Sequence, residues 1–276
     1  MQSRLQPGEV ILSVDGRRLD PAIDLGRQLT GPAERELLLQ VLDAEGKERS
    51  VTLSPITYGQ FRGLLYEEWI RQTRAKVAEL TGGRAGYLHV RGMVWPSFER
   101  FEAEIYKEGH GKEALLIDVR DNGGGFTADH LLTVLCQPDH AYTVPRGGGP
   151  GYPQDRLVYA RWSKPIVVLC NQNSFSNAEI FAHAIQTLGR GPVVGVTTAG
   201  GVISTGGTGI MGFAFLRLPF RGWFLRGSGT NMELNGCVPD RIVPMAPEEL
   251  APDRDPQLAA ACALIPKASD EAELGR

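Results

Sequence analysis

Two serines, Ser174 and Ser176, stand where an apolar run gives way to a polar turn and then to a helical pattern. The run Ile166 to Cys170 is short and rich in β-branched residues, which predicts a strand buried on both faces. Beyond Asn171, Gln172 and Asn173, the apolar positions Phe175, Ala178, Ile180, Phe181, Ala184, Ile185 and Leu188 recur at helical spacing, and Gly189 supplies a stop. A hydroxyl at such a helix start meets unpaired backbone N–H groups and the positive end of the helix dipole, a setting that suits a nucleophile. Serines at strand-to-helix junctions also serve as N-caps, so this stretch alone leaves both readings open. A second turn offers complementary chemistry. After the apolar run Ala114 to Val119 come Arg120, Asp121, Asn122 and the consecutive glycines Gly123, Gly124 and Gly125. Such a turn brings backbone close to a ligand and can aim N–H groups at an anion or a developing oxyanion. It lacks the Lys-Ser/Thr ending of a phosphate loop and the dinucleotide fingerprint, and a plain tight turn needing positive φ remains the other reading.

Both turns need elements to hold them. Gly86 to Val90, Ala114 to Val119, Pro165 to Cys170 and Val193 to Thr197 read as strands, separated by helical patterns over Pro96 to Glu108, Thr127 to Leu135 and the stretch after Ser176. This alternation predicts an α/β domain with a covered sheet. Upstream, PGEVILSVD is a strand ending in the turn Asp15-Gly16, Pro21 to Leu29 is helical, and Glu36 to Leu42 and Glu48 to Leu53 form two strands around Asp43-Ala44-Glu45-Gly46. Thr57 to Leu80 reads as a connecting helix stopped by Gly82-Gly83. A chain of 276 residues, 42% hydrophobic and 22% charged, can bury one sizeable core and a small satellite. Its net charge of -3, without a dense Lys/Arg run, favours neither nucleic acid nor an anionic membrane as partner. No apolar run approaches a membrane span, and MQSRLQPGEV is not a secretory signal. Cys136, Cys170, Cys237 and Cys262 lack metal-ligand or disulfide spacing and read as free thiols in a reducing compartment.

Residues 1–54, in the order GEVILSVDGRRL, helix, LLLQVLDAEGKERSVTL, resemble the second half of a PDZ domain. The ordered set GYLHV, ALLIDVRDNGGGF, IVVLCNQNSFSNAEIF, GPVVGVTTAGGVI and NMELNGCVPDRIV resembles the catalytic core of the tricorn proteases and their relatives, the C-terminal processing peptidases of family S41. The resemblance implies a ClpP/crotonase-like α/β core of repeated strand-strand-helix units preceded by a partial PDZ-like β domain. It sets the expected units at residues 1–55 (PDZ-like, N-terminally truncated), 56–83 (connecting helix) and 84–276 (peptidase core).

Carried over residue by residue, the resemblance makes Ser176 the nucleophile, because Glu179 lies three residues after it. The oxyanion donors are the N–H groups of Asn177 and Gly125, and Gly123, Gly124, Gly125 and Asn177 border the substrate. C-terminal processing peptidases carry a catalytic lysine where this chain has Gly201, whereas tricorn-type enzymes use histidine, a second serine and a glutamate in E-x-x-G-x-x-P-D. Glu233-Leu234-Asn235-Gly236-Cys237-Val238-Pro239-Asp240 fits that pattern, so Glu233 inherits the glutamate role. The tricorn histidine and its serine precede the PDZ domain, which places the general base upstream of residue 1. His89 reads as a packed strand residue, His183 lies two helical turns beyond Ser176, and His110, His130 and His140 read as solvated. The expected function is hydrolysis of peptides or unfolded segments through an acyl-enzyme, without cofactor or metal, in a cytoplasmic homo-oligomer. The alternatives are a non-catalytic peptide-binding or assembly module and, behind it, a crotonase-like acyl-CoA enzyme. The neutral Asn177, where the tricorn protease has aspartate, implies a faded preference for basic side chains at the cleaved position.

Overall fold

The computed structural model describes residues 4–33, 35–138, 144, 146–148 and 160–265, which excludes His140. The chain divides into two compact units, residues 1–69 and 70–276. In the first, β1 (Val10–Val14), β2 (Arg17–Arg18), β3 (Leu37–Leu42) and β4 (Glu48–Leu53) form an antiparallel sheet in the order β2-β1-β3-β4, with the short helix α1 (Leu25–Leu29) between β2 and β3. Along β3, Leu37, Leu39 and Val41 are buried while the residues between them are not, so a single face is covered. Val14 and Val51 complete that small core, and Arg49 grips Glu9 with both Nε and Nη2, at 2.7 and 2.8 Å. The boundary between the units falls inside the long helix α2 (Tyr58–Thr81), which ends as expected at Gly82-Gly83, both at positive φ.

The second unit is built on a five-stranded parallel sheet in the order β11-β8-β7-β6-β5, from β5 (Ala85–His89), β6 (Ala114–Asp118), β7 (Ile166–Cys170), β8 (Val193–Gly195) and β11 (Arg241–Ile242). Every residue of β5 to β8 is buried, as continuous apolar runs require when a sheet is covered on both sides. Helices α3 (Trp95–Gly109), α4 (Ala128–Cys136), α5 (Asn177–Thr187) and α6 (Pro256–Cys262) follow the helical spacing of their buried residues, and Phe98, Phe101, Leu131 and Phe181 pack with Leu88, Ile117 and Val168 in one core. An antiparallel hairpin, β9 (Ser204–Ile210) and β10 (Ala214–Arg221), was not legible in the sequence. Its residues are largely solvent-facing, with Met211 and Phe213 at its tip 90% and 79% exposed.

At the end of β6 a buried charge cluster closes the sheet. Asp118 accepts from Tyr87 Oη (2.8 Å) and Arg120 Nη2 (2.7 Å), and Arg120 Nη1 reaches Asp255 Oδ2 (2.7 Å) and Gln257 Oε1 (3.1 Å) around α6. Burial by itself would raise the Asp118 carboxyl, but the Arg120 guanidinium outweighs it and holds Asp118 below its usual range. His89 Nε2–H donates to the Arg120 carbonyl, 3.1 Å away, and burial depresses its pKa against the pull of Asp118. Burial also lowers His183.

These shifts have a signed consequence. A histidine whose folded pKa is depressed contributes stability above the ordinary 6.5 and loses it as pH falls toward the folded value, because the unfolded chain takes the proton first. Asp118 adds its own loss only below about its ordinary 3.8. The melting temperature should therefore drop between pH 7.5 and 5, and drop less in His89→Gln, as calorimetry across that range would read. Parallel pH profiles for parent and variant would show that His89 does not carry the effect.

Candidate active site

The carboxyl ends of β6 and β7 lead into the two turns, and the fold lays one against the other. Asp121 N–H donates to Asn171 Oδ1 (3.0 Å) while Asn171 and Asn173 both donate to Asp121 Oδ1 (3.1 and 2.8 Å). Asn122, fully buried, donates to the Val90 carbonyl (2.7 Å), accepts from Gly124 N–H (2.9 Å), and offers its own carbonyl to Phe175 N–H (2.9 Å). These asparagines are pieces of the site that motif reading missed, and their signal was their placement beside the glycines and serines.

The two serines have separate surroundings. Ser174 is fully buried, its Oγ donating to the Val119 carbonyl (2.7 Å) and accepting from Asn171 N–H (3.0 Å). Its hydroxyl is spent on holding the turn. Ser176 is partly exposed, opens α5, and adopts φ 56°, ψ -116°, a backbone that L residues rarely take and that costs about 1–3 kcal/mol. Strain of this kind marks a side chain aimed away from the regular path of the strand and helix.

Ser176 faces a cavity of about 870 Å³ whose lining includes Gly123, Gly125, Asn177 and Glu233. Gly124 packs beneath it: a Cβ at 124 would lie 2.7 Å from Ser176 Cβ and 3.1 Å from Asn177 N. Gly125, at φ 145°, runs against Met93, and a Cβ there would overlap the Met93 carbonyl oxygen. Neither Gly125 N–H nor Asn177 N–H donates to a described residue, so both are available to an oxygen in the cavity. Asn177 Oδ1 accepts from Ala128 N–H (2.8 Å), which ties the N-terminal ends of α4 and α5 together and brings two positive dipole ends to one place. Glu233 Oε2 accepts from Val202 N–H (2.7 Å) and Ile203 N–H (2.9 Å), leaving Oε1 without a described donor beside the cavity.

Other charged groups reach the same space. Asp129, in the first turn of α4, lines it together with Arg217 and Arg221 of the hairpin, and none of the three was singled out from the sequence. No described histidine is part of that lining. His89 is bound to the Arg120 carbonyl, and His183 borders a separate cavity of about 650 Å³ with Leu234 and Asn235. At Gly201 a side chain would run into the Phe175 ring, whose Cζ lies 2.9 Å from the Cβ position. The four free thiols are no competing nucleophiles, since none lines this cavity and burial pushes Cys237 and Cys262 up to about 12 and raises Cys136 and Cys170 as well.

Residues 84–243 match the model of the peptidase family S41. The chain belongs to that family. Among S41 relatives it is 35% identical over 270 residues to tricorn protease homolog 1 of Streptomyces coelicolor, covering 97% of this chain and 25% of that protein. It is 27% identical over 261 residues to the tricorn protease of Thermoplasma volcanium, covering 94% of this chain and 24% of that one. The crystal structure of the tricorn protease superposes with a TM-score of 0.75 at 26% identity, over 94% of this chain and 25% of that chain. This S41 chain thus spans about a quarter of the length of these relatives. The α/β fold with its parallel sheet is the one they share. Among the described residues no helix is long and apolar enough to cross a membrane.

Proposed function

We propose that the chain is the catalytic core of a tricorn-type serine peptidase with Ser176 as nucleophile. The observation that carries this reading is the contrast between the serines: Ser174 has its hydroxyl bound on both sides, while Ser176 sits strained at the helix start beside a cavity. In this reading Ser176 Oγ attacks the peptide carbonyl carbon as its proton passes to a general base. The carbonyl oxygen, now an anion, is held by Gly125 and Asn177 N–H groups, with Gly123, Gly124 and Asn177 bordering the substrate. The base returns the proton to the leaving amine, and water then hydrolyses the acyl-enzyme.

Glu233 orients the base through its free oxygen. The base itself is assigned to a histidine outside this chain, which agrees with the absence of a described histidine from the lining and with the quarter-length coverage of the relatives. Substrates are peptides or unfolded segments. Asp129 supplies the cavity with a carboxylate that a cationic side chain could meet even though Asn177 is neutral. Residues 1–55 are read as a partial PDZ-like domain, supported by strand order and the intervening helix, residues 56–83 as a connector and 84–276 as the peptidase core. A cytoplasmic homo-oligomer completes the reading, and the exposed apolar hairpin is the kind of surface that association would cover.

The test is kinetic. The chain alone should hydrolyse a fluorogenic peptide about 10² to 10⁴ slower than protein that also carries the base. Equal rates, abolished by His89→Ala, would place the base inside the chain and overturn the assignment.

A further inference from the structure

Glu179 is fully buried in the first turn of α5 and is surrounded by hydrogen-bond donors. Its Oε1 accepts from Ser176 N–H and Gly201 N–H, both at 2.9 Å. Its Oε2 accepts from Thr198 Oγ1 and Gly200 N–H, both at 2.5 Å. Thr198 Oγ1 already accepts from Cys237 N–H (2.7 Å), so its single proton is directed to the carboxylate. Among the described residues no lysine, arginine or histidine forms an ion pair with Glu179. A capping carboxylate ordinarily serves its own helix, taking the N-cap N–H three residues back. Here three of the four donors belong to residues 198–201, outside the helix.

That segment is the one on which the Glu233 strand of chain rests. Leu234 N–H donates to the Gly200 carbonyl (2.8 Å) and Thr198 N–H to the Cys237 carbonyl (3.1 Å). Two residues further on, Val202 and Ile203 N–H hold Glu233 Oε2. Among the described residues Glu179 is therefore the side chain bonded both to the backbone of Ser176 and to residues 198–201, which lead directly into the Glu233 contacts at 202 and 203. We infer that Glu179 is a positioning residue that sets the nucleophile and the Glu233 carboxylate in register with each other, by holding Ser176 N–H and residues 198–201 on one rigid group. This rests on the peptidase reading of Ser176 and Glu233. A glutamine is isosteric yet cannot do the same, because its NH₂ would confront one of the two donor pairs instead of accepting from it.

Amide hydrogen exchange, read residue by residue by NMR on the whole chain and its Glu179→Gln variant, separates this from a local helix cap. Faster exchange is expected at Ser176, Gly200 and Gly201 and, jointly, at Val202 and Ile203, whose acceptor is Glu233 rather than Glu179. Alongside it, in protein that also carries the base, reaction with a fluorophosphonate, in which Ser176 Oγ bonds to phosphorus as its proton passes to the base and fluoride is expelled, should slow by about 100-fold at saturation. The half-saturating concentration should change by no more than about threefold, as for a group that aligns without binding. Exchange altered at Ser176 alone, or an unchanged reaction rate, would overturn the inference. If Glu179→Gln does not fold, Thr198→Val removes one donor to Glu179 together with the acceptor of Cys237 N–H and, besides faster exchange at Cys237, should show the same joint pattern in smaller degree; protection unchanged at 200–203 would then overturn it. Should protein that also carries the base not react at Ser176, the peptidase reading fails, while the exchange pattern still decides the role of Glu179.

Discussion

In protein that also carries the base, replacing Ser176 with alanine should reduce fluorophosphonate incorporation to background, with the adduct in the unsubstituted protein mapping to Ser176 and to no other serine. The expectation follows from what each hydroxyl is doing. Ser176 lines the cavity at the helix start, whereas the Ser174 hydroxyl is buried between the Val119 carbonyl and Asn171 N–H. Ser174→Ala should therefore keep Ser176 as the labelled residue but cost about 1–3 kcal/mol, since both buried partners lose their bond. For a unit of this size that is a fall of roughly 2–4 °C in melting temperature per kcal/mol. Ser176→Gly should melt higher than Ser176→Ala, because glycine adopts φ 56° without the penalty that alanine bears. Mass spectrometry of the labelled peptide and calorimetry of the three variants check these together. An adduct on Ser174 would reverse the assignment.

Gly125→Ala should slow acylation by about 10² to 10³, the loss typical of one oxyanion donor, or about 2.7–4 kcal/mol of barrier. At φ 145° the new Cβ is driven into the Met93 carbonyl, which is backbone and cannot swing aside. The turn must shift, and the Gly125 N–H moves with it. The Met93 bonds to Gly124 O (3.0 Å) and from Phe126 N–H (2.7 Å) would be disturbed as well, so the comparison has to be made well below the melting temperature of the variant. The informative ratio is the saturating rate against the half-saturating concentration for a peptide ester. A change confined to the latter would mean that Gly125 shapes substrate binding and does not meet the developing charge.

Much of the scaffold was legible before any coordinates. Runs such as Leu115 to Ile117 and Ile166 to Cys170 can satisfy their side chains only inside a covered sheet, and the helices announce themselves by apolar spacing between glycine stops. These are local signals, written within a dozen residues of the element they specify. The hairpin Ser204 to Arg221 escaped because its first strand, STGGTGI, is glycine-rich, and because an exposed ribbon needs no apolar alternation to hold one face in a core. The family resemblance could rank Ser176 above Ser174 and mark Glu233, but it did so by register with a motif.

What the tertiary structure decided is which polar groups remain available. Ser174 is tied up by a carbonyl on β6's extension, Glu233 Oε2 by two N–H groups before β9, and Glu179 by donors from residues 198–201. Asp129 and Arg217 come to one cavity from a helix and a hairpin that share no local pattern. Each of these depends on how parallel strands are registered and how far the turns beyond their carboxyl ends project. Residue types along the sequence determine which groups could bond or react; only the packing of distant segments determines which have already found partners and which still face the substrate.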